Sequence, residues 1–324
     1  MRYMILILCF GLPALFPVLS PGEETVRRIF VSNEKSNTLS VINERTLEVE
    51  ASVPVGDRPR DLEFSPDNSE LYVALGDEDA IAVVDPVSLE VIRKFKAVSD
   101  PEALAVHPDT GQLFITYEDA GQVNIYDPKT GIKLVDIKVG LEPEGVAVSP
   151  DGRYVAVTSE SSSMLHIINV PELQIIAEVN VGSRPRDAVF TRDSSKIYVT
   201  SEVGGKVEVI DIKTSRIIQS VQLDDPGVKP KSVLLNNDES KVYVAGGRGN
   251  HVYVLDAATL EIIARIPVGE RVWGLAFSHD DKYLFTTDGV DGQVSVIDAA
   301  ANEVIKTIKV GDYPWGVAIP RQDL

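Results

Sequence analysis

Apolar and polar residues alternate in twos along most of the chain, in short runs such as IAVVD, VEVID, VYVLD and VSVID that are rich in β-branched side chains. That period puts successive side chains on opposite faces of a strand, and no window carries the three-and-four spacing of an amphipathic helix. Clusters of Pro, Asp, Asn and Gly separate the runs: SPDN, HPDT, SPDG and SHDD after one kind, DPVS, DPKT and DAAT after another. These residues suit tight turns, because Pro presets its own φ and short Asp and Asn side chains bond the following backbone. The chain is therefore predicted to be all-β, with its functional residues on strands and loops.

Four kinds of strand recur in a fixed order: one introduced by an X-Pro-X-like segment, a YV type (LYVAL, IYVTS, VYVAG), the VxVID type, and a VI type (VIRKF, IIARI, VIKTI). The first kind reads RPRDLEFS, DPEALAVH, EPEGVAVS, RPRDAVFT, KPKSVLLN, RVWGLAFS and YPWGVAIP. Its anchors Arg60, Glu102, Glu144, Arg186, Lys231, Trp273 and Trp315 are 42 residues apart, except for one step of 45. A period of that length with four strands in it marks a β-propeller, and repeats begin near residues 28, 70, 112, 153, 196, 241 and 282. The chain enters on RIFVS, a second-type strand, and leaves on WGVAI, a first-type strand. A seven-bladed β-propeller with four antiparallel strands per blade follows, closed by N- and C-terminal strands sharing one blade so that no sheet edge stays open.

Met1 to Ser20 carries Arg2 and then an apolar run interrupted by Pro13 and Pro17, which reads as a secretory signal, residues 1–22, removed before Glu23. The propeller then spans 23–324, and a periplasmic monomer is expected. Cys9, the only cysteine, falls in that signal, so the remainder lacks disulfides, thiolate nucleophiles, thiolate-held zinc, iron–sulfur clusters and covalent haem. With 31 basic and 49 acidic residues the net charge is -18, which repels phosphate backbones and anionic lipid; neither nucleic acid nor membrane insertion after signal cleavage is expected.

Strand order puts the loop entering each innermost strand at the rim of the central channel. By blade, this ring is Arg58 and Arg60, Asp100 and Glu102, Glu142 and Glu144, Arg184 and Arg186, Lys229 and Lys231, Arg271 and Trp273, Tyr313 and Trp315. Both tryptophans of the chain occupy this one repeat position. One reading is a recognition mouth in which the aromatic faces accept an aromatic or cationic group and the charged sectors orient it. The other is a ring that neutralises itself: charges about 8 Å apart at an effective dielectric of 20 interact by about 2 kcal/mol, enough to order it without a ligand. A second, acidic ring is expected on the same face between second and third strands: Glu34, Glu118, Glu160, Glu202 and Asp288, with Gly76 and Gly247 in the other blades.

Chemistry beyond this is sparse. His107 and His279 fall in turns, His166 and His251 lie on or beside third-type strands, and none has a partner at metal-ligand spacing, so no metal or other cofactor is expected. No GxSxG, HExxH or P-loop occurs, and SEVGGK joins two strands where a phosphate loop would open a helix.

The repeats resemble the YVTN family of β-propellers, with YVTS at Tyr198 to Ser201. FVSNEKSNTLSVI, VGDRPRDLEFSPD, VGLEPEGVAVSPDG, TSESSSM, SEVGGKVEVID, VGERVWGLAFS, DKYLFTTDGV and VGDYPWGVAI, in that order, resemble its seven-repeat subfamily associated with PQQ-dependent catabolism of alcohols. RVWG and YPWG are the specific part of the match; LDDPGVKP, before Lys231, departs from the longer insertion that the subfamily implies. The resemblance implies a non-catalytic periplasmic accessory or binding module for alcohol oxidation, whose partner is a quinoprotein dehydrogenase or a cytochrome, or else a small aromatic or cationic ligand. It supplies no catalytic residues. A propeller lactonase or other hydrolase, and a surface or adhesion protein, are the alternatives.

Overall fold

The computed structural model describes residues 27–320, so the segment read as a signal, 1–22, lies outside the described residues. Its strands form seven four-stranded antiparallel sheets, each running outward from the channel in repeat order. Numbered by their innermost strands, the blades are blade 1 (Pro59–Phe64), blade 2 (Pro101–Val106), blade 3 (Pro143–Val148), blade 4 (Pro185–Phe190), blade 5 (Val233–Leu235), blade 6 (Val272–Phe277) and blade 7 (Pro314–Ala318). Blade 7 is the composite one: Pro314–Ala318 pairs with Arg28–Asn33, followed by Thr38–Asn43 and Glu48–Pro54. The closing register sets Phe30 opposite Ala318 and Val31 opposite Val317, as the order of strand types at the two ends predicts.

Burial is greatest in the middle strands and lower in the outermost and in most of the innermost ones. Middle strands are covered on both faces by neighbouring blades, so Leu71–Leu75 and Ala80–Val84 are buried throughout and read as continuous apolar runs. The outermost Val91–Lys96 faces its neighbours on one side and water on the other, and its residues alternate between half-buried and exposed. The core is correspondingly divided into seven clusters, one between each pair of adjacent blades. Between blades 7 and 1, for example, Phe30, Leu39 and Val41 pack on Leu62, Phe64 and Val73, with the Phe30 and Phe64 rings edge to face at 5.7 Å. Fully burying each such side chain contributes about 1.5–3 kcal/mol.

Two devices hold the rim. The residue before each innermost strand is left-handed in six blades: Arg58, Asp100, Glu142, Arg184, Arg271 and Tyr313 have φ between 50° and 62°. A side-chain-bearing residue in that region costs about 1 kcal/mol or more, and the cost is offset where its carbonyl is bonded. The carbonyls of Arg58, Glu142, Arg184, Arg271 and Tyr313 accept the N–H of Gly76, Glu160, Glu202, Gly289 and Glu34 at 2.7–3.0 Å. The second device is a hydroxyl strut across blades. Ser32 donates to the Arg60 carbonyl at 2.5 Å, Thr116 to Glu144 at 2.8 Å, Thr287 to Trp315 at 2.7 Å, and Thr200 donates likewise to Lys231. Each anchored carbonyl belongs to a rim residue, so the second strand of one blade fixes the functional position of the next.

Candidate binding site at the channel mouth

The rim side chains converge on a cavity of about 430 Å³, walled by Arg58, Arg60, Glu118, Glu144, Arg186, Arg271, Tyr313, Trp273 and Trp315, with Glu34 and Lys35 at its edge. The two rings read from the sequence are one network here. Glu34 of blade 7 lies 3.3 Å from Arg58 and 3.6 Å from Arg60 of blade 1, and Arg58 continues to Asp100 at 3.0 Å and Asp77 at 3.3 Å. Arg60 pairs with the buried Glu102. Arg186 is the hub: its Nη1 lies 2.9 Å from Glu144, 2.6 Å from Glu160 and 3.6 Å from Glu202. Arg184 also pairs with Glu160 and lies 3.8 Å from Glu202. Glu34 and Glu160 thus serve as counter-ions to the bases of the next blade, and Glu202 lies beside those of its own, at closer range than the spacing expected from the repeat.

The network is uneven around the ring. On the acidic side Asp100, Glu102 and Glu118 bring carboxylate oxygens within 4.8 Å of one another. Burial, and then the charges of Glu144, Asp100 and Glu142, push the Glu118 carboxyl up. Asp100 is pushed up by burial against the opposing pull of Arg58. On the opposite side Trp273 and Trp315 stack with ring centroids 6.1 Å apart and planes 25° from parallel. Arg271 lies 4.7 Å and Lys231 5.4 Å from the Trp273 centroid; Lys231 is 4.6 Å from Trp315, and Lys35 is 3.5 Å from Tyr313. Such contacts between cation and ring contribute about 0.5–2 kcal/mol. Lys231 reaches Glu144 at 3.5 Å, and burial first, then Arg186, push its ammonium below the usual lysine range.

Below the mouth the channel holds two carboxylates that the repeat alignment did not single out. RPRD occurs in blades 1 and 4, and its Asp61 and Asp187 line the channel wall. Each bridges to the next blade: Asp61 accepts the Leu104 N–H at 2.8 Å and Asp187 the Val233 N–H at 3.1 Å. Burial pushes Asp61 up to about 7, and it pushes Asp187 up as well. Arg248 and Lys35 were also missed, since they lie outside the repeat positions that define the rings. The repeated RPRD was the available signal for the first pair.

One expected ring member is placed elsewhere. Asp288 is the last residue of its strand, and Gly289 occupies the position equivalent to Glu34 and Glu202. The Asp288 carboxylate turns away from the mouth, accepting from Gly269 N–H at 3.2 Å, Ser295 at 2.6 Å and Thr286 at 2.8 Å, and burial pushes it up despite these bonds. A side chain at Gly289 would press on the Trp273 indole, since its Cβ would sit 3.0 Å from the ring. The histidines are structural. His166 Nε2 accepts the Gly140 N–H at 2.9 Å, His107 Nδ1 accepts the Asp109 N–H at 3.2 Å, and His279 Nδ1 lies 3.7 Å from Glu44.

Solved structures share the fold at low identity. Hydrazine synthase of Kuenenia stuttgartiensis aligns with a TM-score of 0.74 at 18% identity, covering 82% of this chain and 95% of that one. A protein of unknown function from Desulfotomaculum acetoxidans DSM 771 gives 0.80 at 16%, covering 91% and 99%. A candidate 6-phosphogluconolactonase from Bacteroides fragilis NCTC 9343 gives 0.78 at 18%, covering 93% and 100%. No curated protein matches the sequence. The sequence model of one family, described as YNCE-like beta-propeller, matches residues 17–321. With seven blades, a shared closing blade and a match over nearly its whole length, the chain belongs to the YNCE-like β-propeller family.

Proposed function

We propose that the protein is a non-catalytic periplasmic binding propeller that serves PQQ-dependent alcohol oxidation, engaging a quinoprotein dehydrogenase or its cytochrome through the channel mouth. The observation that carries a binding role is the pair Trp273 and Trp315: the chain's two tryptophans stack, half-buried, in the wall of a 430 Å³ cavity whose remaining lining, Tyr313 and Pro314 apart, is charged. An apolar platform among convergent polar groups is what a recognition site needs. The alcohol-oxidation context is supported by the order of the sequence segments and by RVWG and YPWG, which supply that platform. A hydrolase shares the fold, but fold alone brings no site. Among the described residues, His107 and His166 are bonded to backbone and His279 faces Glu44, so they pair with no nucleophile at the mouth.

Capture from a periplasmic extract of alcohol-grown cells on immobilised protein tests the proposal. The expected result is retention of a quinoprotein dehydrogenase or its cytochrome by the native protein, and at least about thirtyfold weaker binding by Trp273→Ala and Trp315→Ala, as for a 2 kcal/mol aromatic anchor. Equal binding by both variants, or retention of neither protein, overturns it.

A further inference from the structure

Apart from Lys35, which lies against the Tyr313 ring, the mouth contains three bases without counter-ions among the described residues, all in the sector of blades 5 and 6. Arg58, Arg60, Arg184 and Arg186 each pair with at least one carboxylate. Lys229, Arg248 and Arg271 make no ion pair with any described carboxylate, although the chain has 49 acids to 31 bases. The cause is local and built in. The loop position that carries Glu34, Glu118, Glu160 and Glu202 in four blades is Gly247 in blade 5 and Gly289 in blade 6. A Cβ on Gly247 would meet the Lys229 carbonyl at 2.0 Å, and Gly247 has φ +57°. No acid can stand at Gly247 without moving the rim backbone, and one at Gly289 would press on the Trp273 indole, so packing favours the vacancy in the counter-ion ring.

That vacancy is a gap of about 20 Å³ between blades 5 and 6, bordered by Lys229, Arg248, Arg271 and Trp273, with Glu202 on its far wall already shared by Arg184 and Arg186. Arg271 and Trp273 also wall the larger cavity, so a group seated in the gap continues into it. We infer that this sector binds a small carboxylate anion carrying a planar ring, its carboxylate on Arg271, Arg248 and Lys229 and its ring against Trp273; the inference rests on the mouth being the binding site. Guanidinium groups match a carboxylate in geometry as well as charge, and Arg271, now over the Trp273 ring, would turn to the carboxylate and release indole surface to the ligand ring. A cationic ligand has no place here, since Arg271 and Lys231 already lie over the Trp273 ring.

Calorimetric titration with four probes of one shape tests this: benzoate, phenyl phosphate, benzamide and benzylamine. Benzoate is expected to bind at least tenfold more tightly than benzamide, and benzylamine not at all. Arg271→Gln should weaken benzoate at least tenfold and benzamide less than about threefold, with a melting midpoint lowered by no more than the few degrees that losing the contact with the Trp273 ring implies. Equal binding of benzoate and benzamide overturns the inference, as does phenyl phosphate binding more tightly than benzoate, or benzoate binding unchanged in both Arg271→Gln and Arg248→Gln. Benzylamine or benzamide bound selectively and lost in Trp273→Ala would overturn the anion while leaving the mouth as the site. Benzoate bound equally by Trp273→Ala and Trp315→Ala would remove the mouth itself, and no binding of any probe would remove both.

Discussion

Replacing Arg186 by Met would keep the volume of the network's hub and delete its charge. Its side chain is 8% exposed, and Glu144 and Glu160, which it contacts, are 5% and 1% exposed. Glu160 would retain Arg184 and Glu144 would retain Lys231 at 3.5 Å, but Glu144, Glu160 and Glu202 would then face one another with the shared base gone. Removing one partner of a buried ion pair costs about 3–5 kcal/mol, chiefly because the other charge stays buried, whereas an exposed pair contributes about 1 kcal/mol or less. At about 2 °C per kcal/mol for a chain of this size, the midpoint should fall by about 6–10 °C. Denaturant unfolding and calorimetry at pH 7 read the effect. Adding Glu160→Gln removes one of the three carboxylates that Arg186→Met leaves facing one another, so the double variant should recover a large part of the loss. A fall of less than 1 kcal/mol, or additive losses in the double variant, would refute the idea that this ring is a desolvated network and make it a set of independently solvated pairs.

Two further outcomes follow from the same geometry. Asp61 is pushed up from the usual carboxylate range to about 7, so its contribution is fully present below about pH 4 and is lost as pH rises through 7. Asp61→Asn should flatten that part of the stability profile, by no more than about 4 kcal/mol for a shift of some three pH units, read as urea midpoints at pH 5 and pH 8; a slope unchanged from the native protein would show that channel water keeps the carboxylate solvated. Thr287→Val, nearly isosteric, leaves the Trp315 carbonyl and the Gly274 N–H without the hydroxyl that bonds both, and should cost about 1–3 kcal/mol while altering tryptophan emission; unchanged emission would separate the strut from the Trp platform.

The architecture was legible in the sequence because a propeller writes its period, its strand types and its closure into the order of residues. The rim positions were legible for the same reason, since each follows from a turn that recurs every repeat. Side-chain reach was not. Glu34 meets Arg58 and Arg60 across a blade boundary, a contact between residues equivalent to nothing in a single repeat. The sequence pattern puts Asp288 in the ring, one residue short of the rim; in a strand one residue is a change of face, and Gly289 holds the rim position. Asp61 and Asp187 do not stand out in the sequence, because they follow the conspicuous arginines and become unusual through burial in the channel, which sequence periodicity does not report.

The shared blade sets how the fold can be reached. Ser32 and Gly316 bond at 2.9 Å although they are 284 residues apart in sequence, and the pairing of Arg28–Asn33 with Pro314–Ala318 spans a similar loop. Closing so long a loop costs conformational entropy before any contact rewards it, so this pairing is expected to come late in folding. Until then three strands of one blade stand complete except for their inner neighbour, and their free edge can be satisfied by any extended segment, including the same strand from another copy. Ring closure therefore separates two fates of one sequence, a closed monomer and a chain-exchanged assembly. The rate of closure relative to encounter between copies, more than the strength of any blade, governs the choice.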